Sequence, residues 1–174
     1  MLETARLRLR EMTLADLDFV AGMIAHPEVM RFYPKCYGRD EAREWVERQR
    51  RRYAEHGHGL WLVEERRSAE PVGQAGLVVQ DLGGGQQFEI GYLVHRPFWR
   101  RGYATEAALR VRDYAFTARG LDRVISLIRP ENLPSQGVAR KLGMAPERET
   151  LFKGFRHLVF AVTRWQCHEE GRAP

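Results

Sequence analysis

Three places in this chain hold residue types whose spacing could do chemistry. The first is Arg100-Arg101-Gly102-Tyr103-Ala104-Thr105, where a helical pattern begins at Ala104. The first N–H groups of a helix have no partner inside it. Those donors, the positive end of the helix dipole and two guanidinium groups together make a site for a phosphate or pyrophosphate. Gly102 and Ala104 keep the backbone open to a close-lying anion. The competing reading is a tight turn with solvated arginines, because a short Gly-containing loop is a weak signal alone. The second place is Asn132-Leu-Pro-Ser-Gln-Gly-Val-Ala-Arg-Lys-Leu-Gly-Met144, which carries Ser135 and Arg140 on another short helix. The third is Glu89, a carboxylate set in an otherwise apolar run.

These groups need a scaffold. Phe88 to Val94 is apolar enough for a buried strand, and Pro97 cannot continue a central ladder. Beyond it, Ala104, Ala107, Ala108, Val111, Tyr114, Ala115 and Ala118 recur at helical spacing. Val124, Ile125, Leu127 and Ile128 read as a short buried parallel strand. A helix follows from about Pro134 to Leu142, stopped by Gly143.

Earlier, Leu7, Leu9 and Met12 alternate with arginines as a half-buried strand, and Leu14 to Ile24 is helical up to His26-Pro27. A helix from Asp40 to Glu55 ends at Gly57-His-Gly59. Strands are expected at Leu60 to Val63 and Val72 to Gln80, with Leu82-Gly-Gly-Gly85 as a hairpin linker because no helix follows it. Two closing strands run near Pro146–Phe152 and Phe155–Gln166. The expected order is β-α-α-β-β-β-α-β-α-β-β, one mixed α/β domain over residues 1–174 with helices on both faces of the sheet.

Composition narrows the class. A chain of 174 residues, 44% hydrophobic and 29% charged, fits one soluble domain with a real core. No run approaches the roughly 18 apolar residues of a membrane span. Met-Leu-Glu-Thr-Ala-Arg has no apolar stretch, so no secretory leader is expected. Cys36 and Cys167 form neither a disulfide framework nor a zinc spacing, so the expectation is a reduced, cytoplasmic protein without metal. The net charge is +5, and the densest basic group is Arg48, Arg50, Arg51 and Arg52. Glu41, Glu44, Glu47 and Glu55 share that helix, so it reads as a solvated face rather than a nucleic-acid groove.

The Trp99-Arg-Arg-Gly-Tyr-Ala-Thr-Glu106 loop and the Asn132…Ser135…Lys-Leu-Gly-Met144 segment occur in order, about 30 residues apart. With them the chain resembles the GCN5-related N-acetyltransferase (GNAT) family, and is similar to its ribosomal-protein-alanine acetyltransferase branch. Arg6-Leu-Arg-Leu-Arg10 followed by Leu14-Ala-Asp-Leu-Asp18 resembles that branch's opening. The resemblance implies two central parallel strands that splay at their C-terminal ends to admit the pantetheine arm of acetyl-CoA. Backbone groups at Leu93 and Val94 would bind the arm, with Asn132 bonding it too. Pyrophosphate would lie on Arg101 through Thr105, so Gly102, Tyr103 and Ala104 are included, with Arg100 and Arg140 as further positive groups. Trp99 occupies a place where the family often carries Gln or Arg, and it also reads as a packed aromatic.

The implied reaction moves an acetyl group directly from acetyl-CoA to a primary amine. Glu89 is the first candidate for the base, ahead of His95, with His157 and Tyr92 behind. Pairing of Glu89 with an arginine is the competing reading. Many family members carry a tyrosine seven residues after the asparagine to protonate the departing thiolate. Here that position is Ala139, and Ser135 is the nearby hydroxyl. The aromatic segment Phe32, Tyr33, Pro34 and Tyr37 corresponds to the region that flanks the family's acceptor pocket; capping the core is the plainer reading. The acceptor stays open among a protein N-terminus, a polyamine or amino acid, and an aminoglycoside, and a homodimer stays open as well. The alternatives from other classes are a non-catalytic acyl-CoA-binding module and an RNA-associated basic protein.

Overall fold

Two adjoining parallel strands at the centre of an eight-stranded sheet set the geometry of everything else. The computed structural model describes residues 1–169; the side chains of 167–169 lie outside the described part, Cys167 among them. The strands are β1 (Leu2–Glu3), β2 (Leu7–Arg10), β3 (Leu60–Glu65), β4 (Pro71–Asp81), β5 (Gln86–Val94), β6 (Arg123–Ile128), β7 (Ala145–Phe152) and β8 (Phe155–Thr163). Their order across the sheet is β1-β2-β3-β4-β5-β6-β8-β7. Only β5 and β6 pair in parallel; every other neighbour is antiparallel.

Helices α1 (Leu17–Ala25) and α2 (Arg39–His56) cover one face, and α3 (Tyr103–Thr117) and α4 (Leu133–Lys141) the other. The strands' period of two explains the division. Trp61 and Val63 of β3 pack with Ala107, Ala108 and Val111 of α3. Leu62 between them packs with Val20, Met23 and Ile24 of α1 and Val46 of α2.

Local chemistry starts and stops these helices where the sequence places them. Glu41 accepts the Gly38 N–H at 3.0 Å, which opens α2, and Gly57 ends it at φ 72°. Asn132 caps α4, its Oδ1 accepting the Ser135 N–H at 3.2 Å.

Two elements differ from the expected order. The N-terminal pair Leu2–Glu3 adds a strand against Leu9 and Arg8. The last strand stops at Thr163 rather than Gln166, and α5 (Arg164–Glu169) follows. Gln166 Oε1 accepts the Thr163 N–H at 2.8 Å, so Thr163-Arg-Trp-Gln166 behaves as a helix-start signal that outweighs the β-rich run before it. Among the described residues, no helix is long and apolar enough to cross a membrane.

Candidate active site

The sheet opens between β5 and β6. Strand β4 holds β5 through nine consecutive pairs, from Gly73↔Val94 to Asp81↔Gln86. Strand β6 holds β5 through one pair, Glu89↔Ile125. A parallel ladder continued past that pair would join the Ile90 carbonyl to the Leu127 N–H. Side chains take both places instead. Ser126, 2% exposed, donates its hydroxyl to the Ile90 carbonyl at 2.8 Å. Glu89 Oε1 accepts the Leu127 N–H at 3.4 Å. These two contacts satisfy the last sheet groups while the strands part, and they leave a gap through the sheet.

Alternation along β5 puts chemistry on both mouths of the gap. Ile90, Tyr92 and Val94 face α3 and α4, whereas Leu93, and with it Glu89, faces α1 and α2.

On the α3 side, the loop before α3 is shaped by two left-handed residues, Arg100 at φ 62° and Gly102 at φ 80°. Such a path suits a concavity of N–H groups, and at Arg100 it costs about 1–2 kcal/mol for a side-chain-bearing residue. The Glu106 N–H bonds the Gly102 carbonyl at 3.0 Å, so the N–H groups of Tyr103, Ala104 and Thr105 end the helix without intrahelical partners. Glu106 would oppose an anion there, but its carboxylate is occupied by the Arg6 N–H at 3.0 Å and Arg6 Nε at 2.6 Å, and by the Thr4 hydroxyl. Arg6 also donates to the Arg101 carbonyl at 3.0 Å and lies 4.9 Å above the Tyr103 ring. The Tyr103 hydroxyl donates to Glu65, so this residue offers a phosphate its backbone and not its side chain. Arg100 and Arg101 are exposed, with Arg101 over the Phe98 ring at 5.3 Å.

Ser135 and Tyr92 meet at the same mouth. The Ser135 hydroxyl donates to the Tyr92 oxygen at 3.0 Å, and the Tyr92 hydroxyl donates to the Ser135 carbonyl at 2.8 Å. Burial pushes the Tyr92 hydroxyl up to about 12, against the Ser135 hydrogen bond, so it stays protonated near neutrality.

At the other mouth, Gln80 Nε2 donates to Glu89 Oε2 at 2.6 Å. Protein surrounds Glu89 closely, yet the side chain keeps some solvent contact, as expected for the wall of a cleft. Burial raises its carboxyl above the ordinary range, opposed by the Gln80 and Leu127 hydrogen bonds and by the charges of Arg52 and Lys153. Tyr33, exposed as a residue, stands within electrostatic reach of Glu89, Tyr37 and Tyr92, and the protein packed around its hydroxyl, with those charges, raises it. Trp45 backs this wall, with Tyr33 and Tyr37 rings at 6.3 and 6.1 Å and its indole N–H on Gln74 at 3.0 Å.

The residues singled out from sequence thus fall into two groups and some exceptions. Arg100 to Thr105 form the loop and helix start; Glu89, Asn132 and Ser135 lie at the gap. Leu93 is corrected. Its carbonyl faces β4, so near that a Cβ on Gly73 would stand 2.3 Å from it. Strand alternation gives the gap to Tyr92 and Val94 instead. The Val94 carbonyl is taken by the Trp99 indole at 2.7 Å, which leaves the Val94 N–H toward β6. Arg140 donates to Gln136 at 3.2 Å and lies 5.5 Å above the Phe160 ring, a packing role on α4. His95 packs among Phe19, His26 and Phe98, and burial lowers its imidazole. Gln80, Ser126 and Arg52 were not singled out for the site, and no local motif marks them. A shallow, open depression lined by Glu11, Met12, Thr13, Arg50, Tyr53 and Ala54 shares no residue with the gap.

This architecture has many relatives. A family model described as "Acetyltransferase (GNAT) domain" matches residues 6–145. The Bacillus subtilis protein YkkB is 38% identical over 144 residues, 82% of this chain and 84% of that protein. The Bacillus licheniformis protein p20, described as an uncharacterized N-acetyltransferase, is 30% identical over 84% of this chain and 83% of its own length. Among solved structures, an acetyltransferase from Agrobacterium tumefaciens C58 superposes with a TM-score of 0.82 at 26% identity, covering 94% of each chain. A ribosomal L7/L12 α-N-protein acetyltransferase, RimL, solved with coenzyme A, shares the fold alone, with a TM-score of 0.76 at 15% identity over 92% of this chain and 95% of that one. With a parted parallel pair at its centre and a match spanning most of its length, this chain belongs to the GNAT acetyltransferase family and is an N-acetyltransferase.

Proposed function

We propose that this enzyme moves an acetyl group from acetyl-CoA directly to a primary amine through the gap between β5 and β6. One observation carries the reading: the single Glu89↔Ile125 pair, with a carboxylate at one mouth and a hydroxyl pair at the other. Acetyl-CoA supplies the acetyl group activated as a thioester. The cleft fits its parts: a peptide-like arm matches the Tyr92 backbone and the Val94 N–H, and a pyrophosphate matches the left-handed Gly102 and the N–H groups of Tyr103, Ala104 and Thr105. Arg100 and Arg101 add positive charge. Asn132 holds the Ser135 backbone at the start of α4.

Glu89 takes the proton that an ammonium must lose before its nitrogen can attack. A carboxyl raised by burial is better matched to that task near neutrality than an ordinary one. On the opposite mouth, Ser135 and Tyr92 hold protonated hydroxyls, and rotation of one away from its present acceptor would aim a donor at the negative charge of a leaving thiolate without prior ionisation. The sequence likeness to the ribosomal-protein-alanine branch supports an α-amine acceptor as one candidate class. Thiol release from acetyl-CoA, measured against a broad panel of small amines and N-terminal peptides, tests the reading. Amine-dependent release that is lost in Glu89→Gln is expected; release equal with and without amine would defeat it.

A further inference from the structure

The acceptor mouth of the gap has more positive than negative charge, and among the described residues neither of its two cations holds an ion pair. Arg52 projects from α2 and is half-buried. Its protein hydrogen bond goes to Gln49 Oε1 at 3.3 Å, an oxygen that already accepts the Leu60 N–H at 3.1 Å. Among the described residues, Arg52 makes no ion pair. By contrast Arg10, Arg112, Arg123, Arg129 and Arg164, similarly half-buried, each hold a carboxylate, and Arg110, also without an ion pair, donates to the Glu3 carbonyl at 3.1 Å, away from the gap. Lys153, in the turn between β7 and β8, also makes no ion pair among the described residues and rests 5.2 Å from the Phe152 ring. Both cations lie within electrostatic reach of Glu89. Burial and the charge of Arg48 lower the Arg52 pKa, opposed only in part by Glu89 and Tyr53.

A half-buried guanidinium without an anion is unfavourable, and a ligand that brings the anion relieves it. We propose that the acceptor is a small primary amine carrying its own anionic group, a carboxylate or phosphate: Glu89 receives the ammonium while Arg52, with Lys153, receives the anion. This rests on the reading of Glu89's side of the gap as the acceptor site. An amino acid or an aminoalkyl phosphate meets one carboxylate and two cations with matching charges. A polyamine or an aminoglycoside meets the same two cations with more positive charge and is disfavoured. The alternative role for Arg52, holding Glu89 ionised by its field, would act on every acceptor alike.

The test compares acceptors that differ in the anion alone. α-Amino acids are set against their α-carboxamides, and O-phosphoethanolamine against ethanolamine, with spermidine and an aminoglycoside included, all at saturating acetyl-CoA. The carboxylate and phosphate arms report which anion is preferred. The anionic member of at least one pair should show a kcat/KM at least about tenfold higher, mainly through KM. Arg52→Gln should collapse that preference, lowering kcat/KM for the anionic acceptor about tenfold more than for its neutral partner, with Arg52→Lys restoring part of it. Lys153→Gln, on an exposed turn, should reduce the same ratio by a smaller factor. Preference for neutral amines or polycations, or equal losses for both members of a pair, overturns the inference. Glu89→Gln assayed in parallel separates the failures. Retained turnover there defeats the acceptor site itself, whereas lost turnover without charge preference defeats only the anionic acceptor.

Discussion

The two mouths of the gap are built from different materials. On the α3 side, the anion-facing groups are backbone N–H donors, two left-handed residues and a helix start, all inside residues 100–105, and the Tyr92–Ser135 hydroxyl pair joins them at the mouth. On the α1/α2 side the groups are side chains from separate segments: Tyr33 before α2, Arg52 on it, Gln80 on β4, Glu89 on β5 and Lys153 beyond β7. The anion-facing loop is therefore local in sequence, and the other side is assembled by the fold. The difference teaches which half of the enzyme can change. Tyr33, Arg52 and Lys153 lie outside the loop at residues 100–105, so under the proposed division changes there should alter amine choice and leave CoA binding alone.

The largest effect expected from this comparison is at Glu89. Glu89→Gln should lower kcat by about 10²–10⁴-fold, the range of general acid–base catalysis. Steady-state thiol release with a confirmed acceptor measures it; a loss below tenfold would place the base elsewhere. On the α3 side, Arg100→Glu with Arg101→Glu should weaken CoA binding by more than about tenfold, about 1.4 kcal/mol. The same reversal at Arg50 and Arg51, on exposed positions of α2, should leave it nearly unchanged. Equal losses would reduce the loop to a diffuse positive field.

Smaller effects concern the hydroxyl pair. Ser135→Ala and Tyr92→Phe should each lower kcat with little change in KM for acetyl-CoA. Because the two hydroxyls bond each other, the double variant should be scarcely worse than the more damaging single one. Fully additive losses would separate them into independent roles. A structural counterpart lies at the branch of the sheet. Ser126→Ala strips the partner from the Ile90 carbonyl in a buried place and should cost about 1–3 kcal/mol in urea unfolding.

A pH profile sharpens the contrast without mutation. Glu89 bonds Gln80 on β4 and the Leu127 N–H on β6, with Arg52 on α2, Lys153 in the β7–β8 turn, Tyr33 and, across the gap, Tyr92 within electrostatic reach. Its carboxyl is raised by burial, so kcat/KM should climb with pH along a limb set above the ordinary carboxylate range. The sign for stability is opposite. The contribution of a raised carboxyl is fully present below its unfolded value and is lost as pH rises through the folded one. Glu89→Gln should flatten this limb of the stability curve. A wild-type activity profile flat across the limb would remove Glu89 as the base.

Local chemistry made much of this legible before any coordinates. Gly102 at a helix start, Gly143 at a helix stop and the run from Phe88 to Val94 each announce their structure through neighbours in sequence. The strand that ends at Thr163 was misjudged by three residues, because a capping pair is easily hidden behind a β-rich run. Leu93 was misassigned for a simpler reason. Which residues of β5 turn their backbone toward β6 depends on the phase of its ladder with β4, and no residue type records that phase. Asn132 and Arg140 show another limit: their polar groups serve α4 itself, contacts that compete with any ligand. Gln80, Ser126 and Arg52 matter only because the sheet brings them to Glu89 and the opening, so their roles are written in topology.

If the gap works as proposed, its cofactor mouth and its acceptor mouth act separately. The most direct measurement is calorimetric titration of CoA into folded Gly102→Glu and Glu89→Gln proteins, beside turnover of each. Gly102→Glu places a side chain and a negative charge on a backbone at φ 80° and should abolish both CoA binding and turnover. Glu89→Gln should bind CoA as the parent does and fail only in turnover. Unchanged CoA affinity in Gly102→Glu, or loss of CoA binding in Glu89→Gln, would contradict the division.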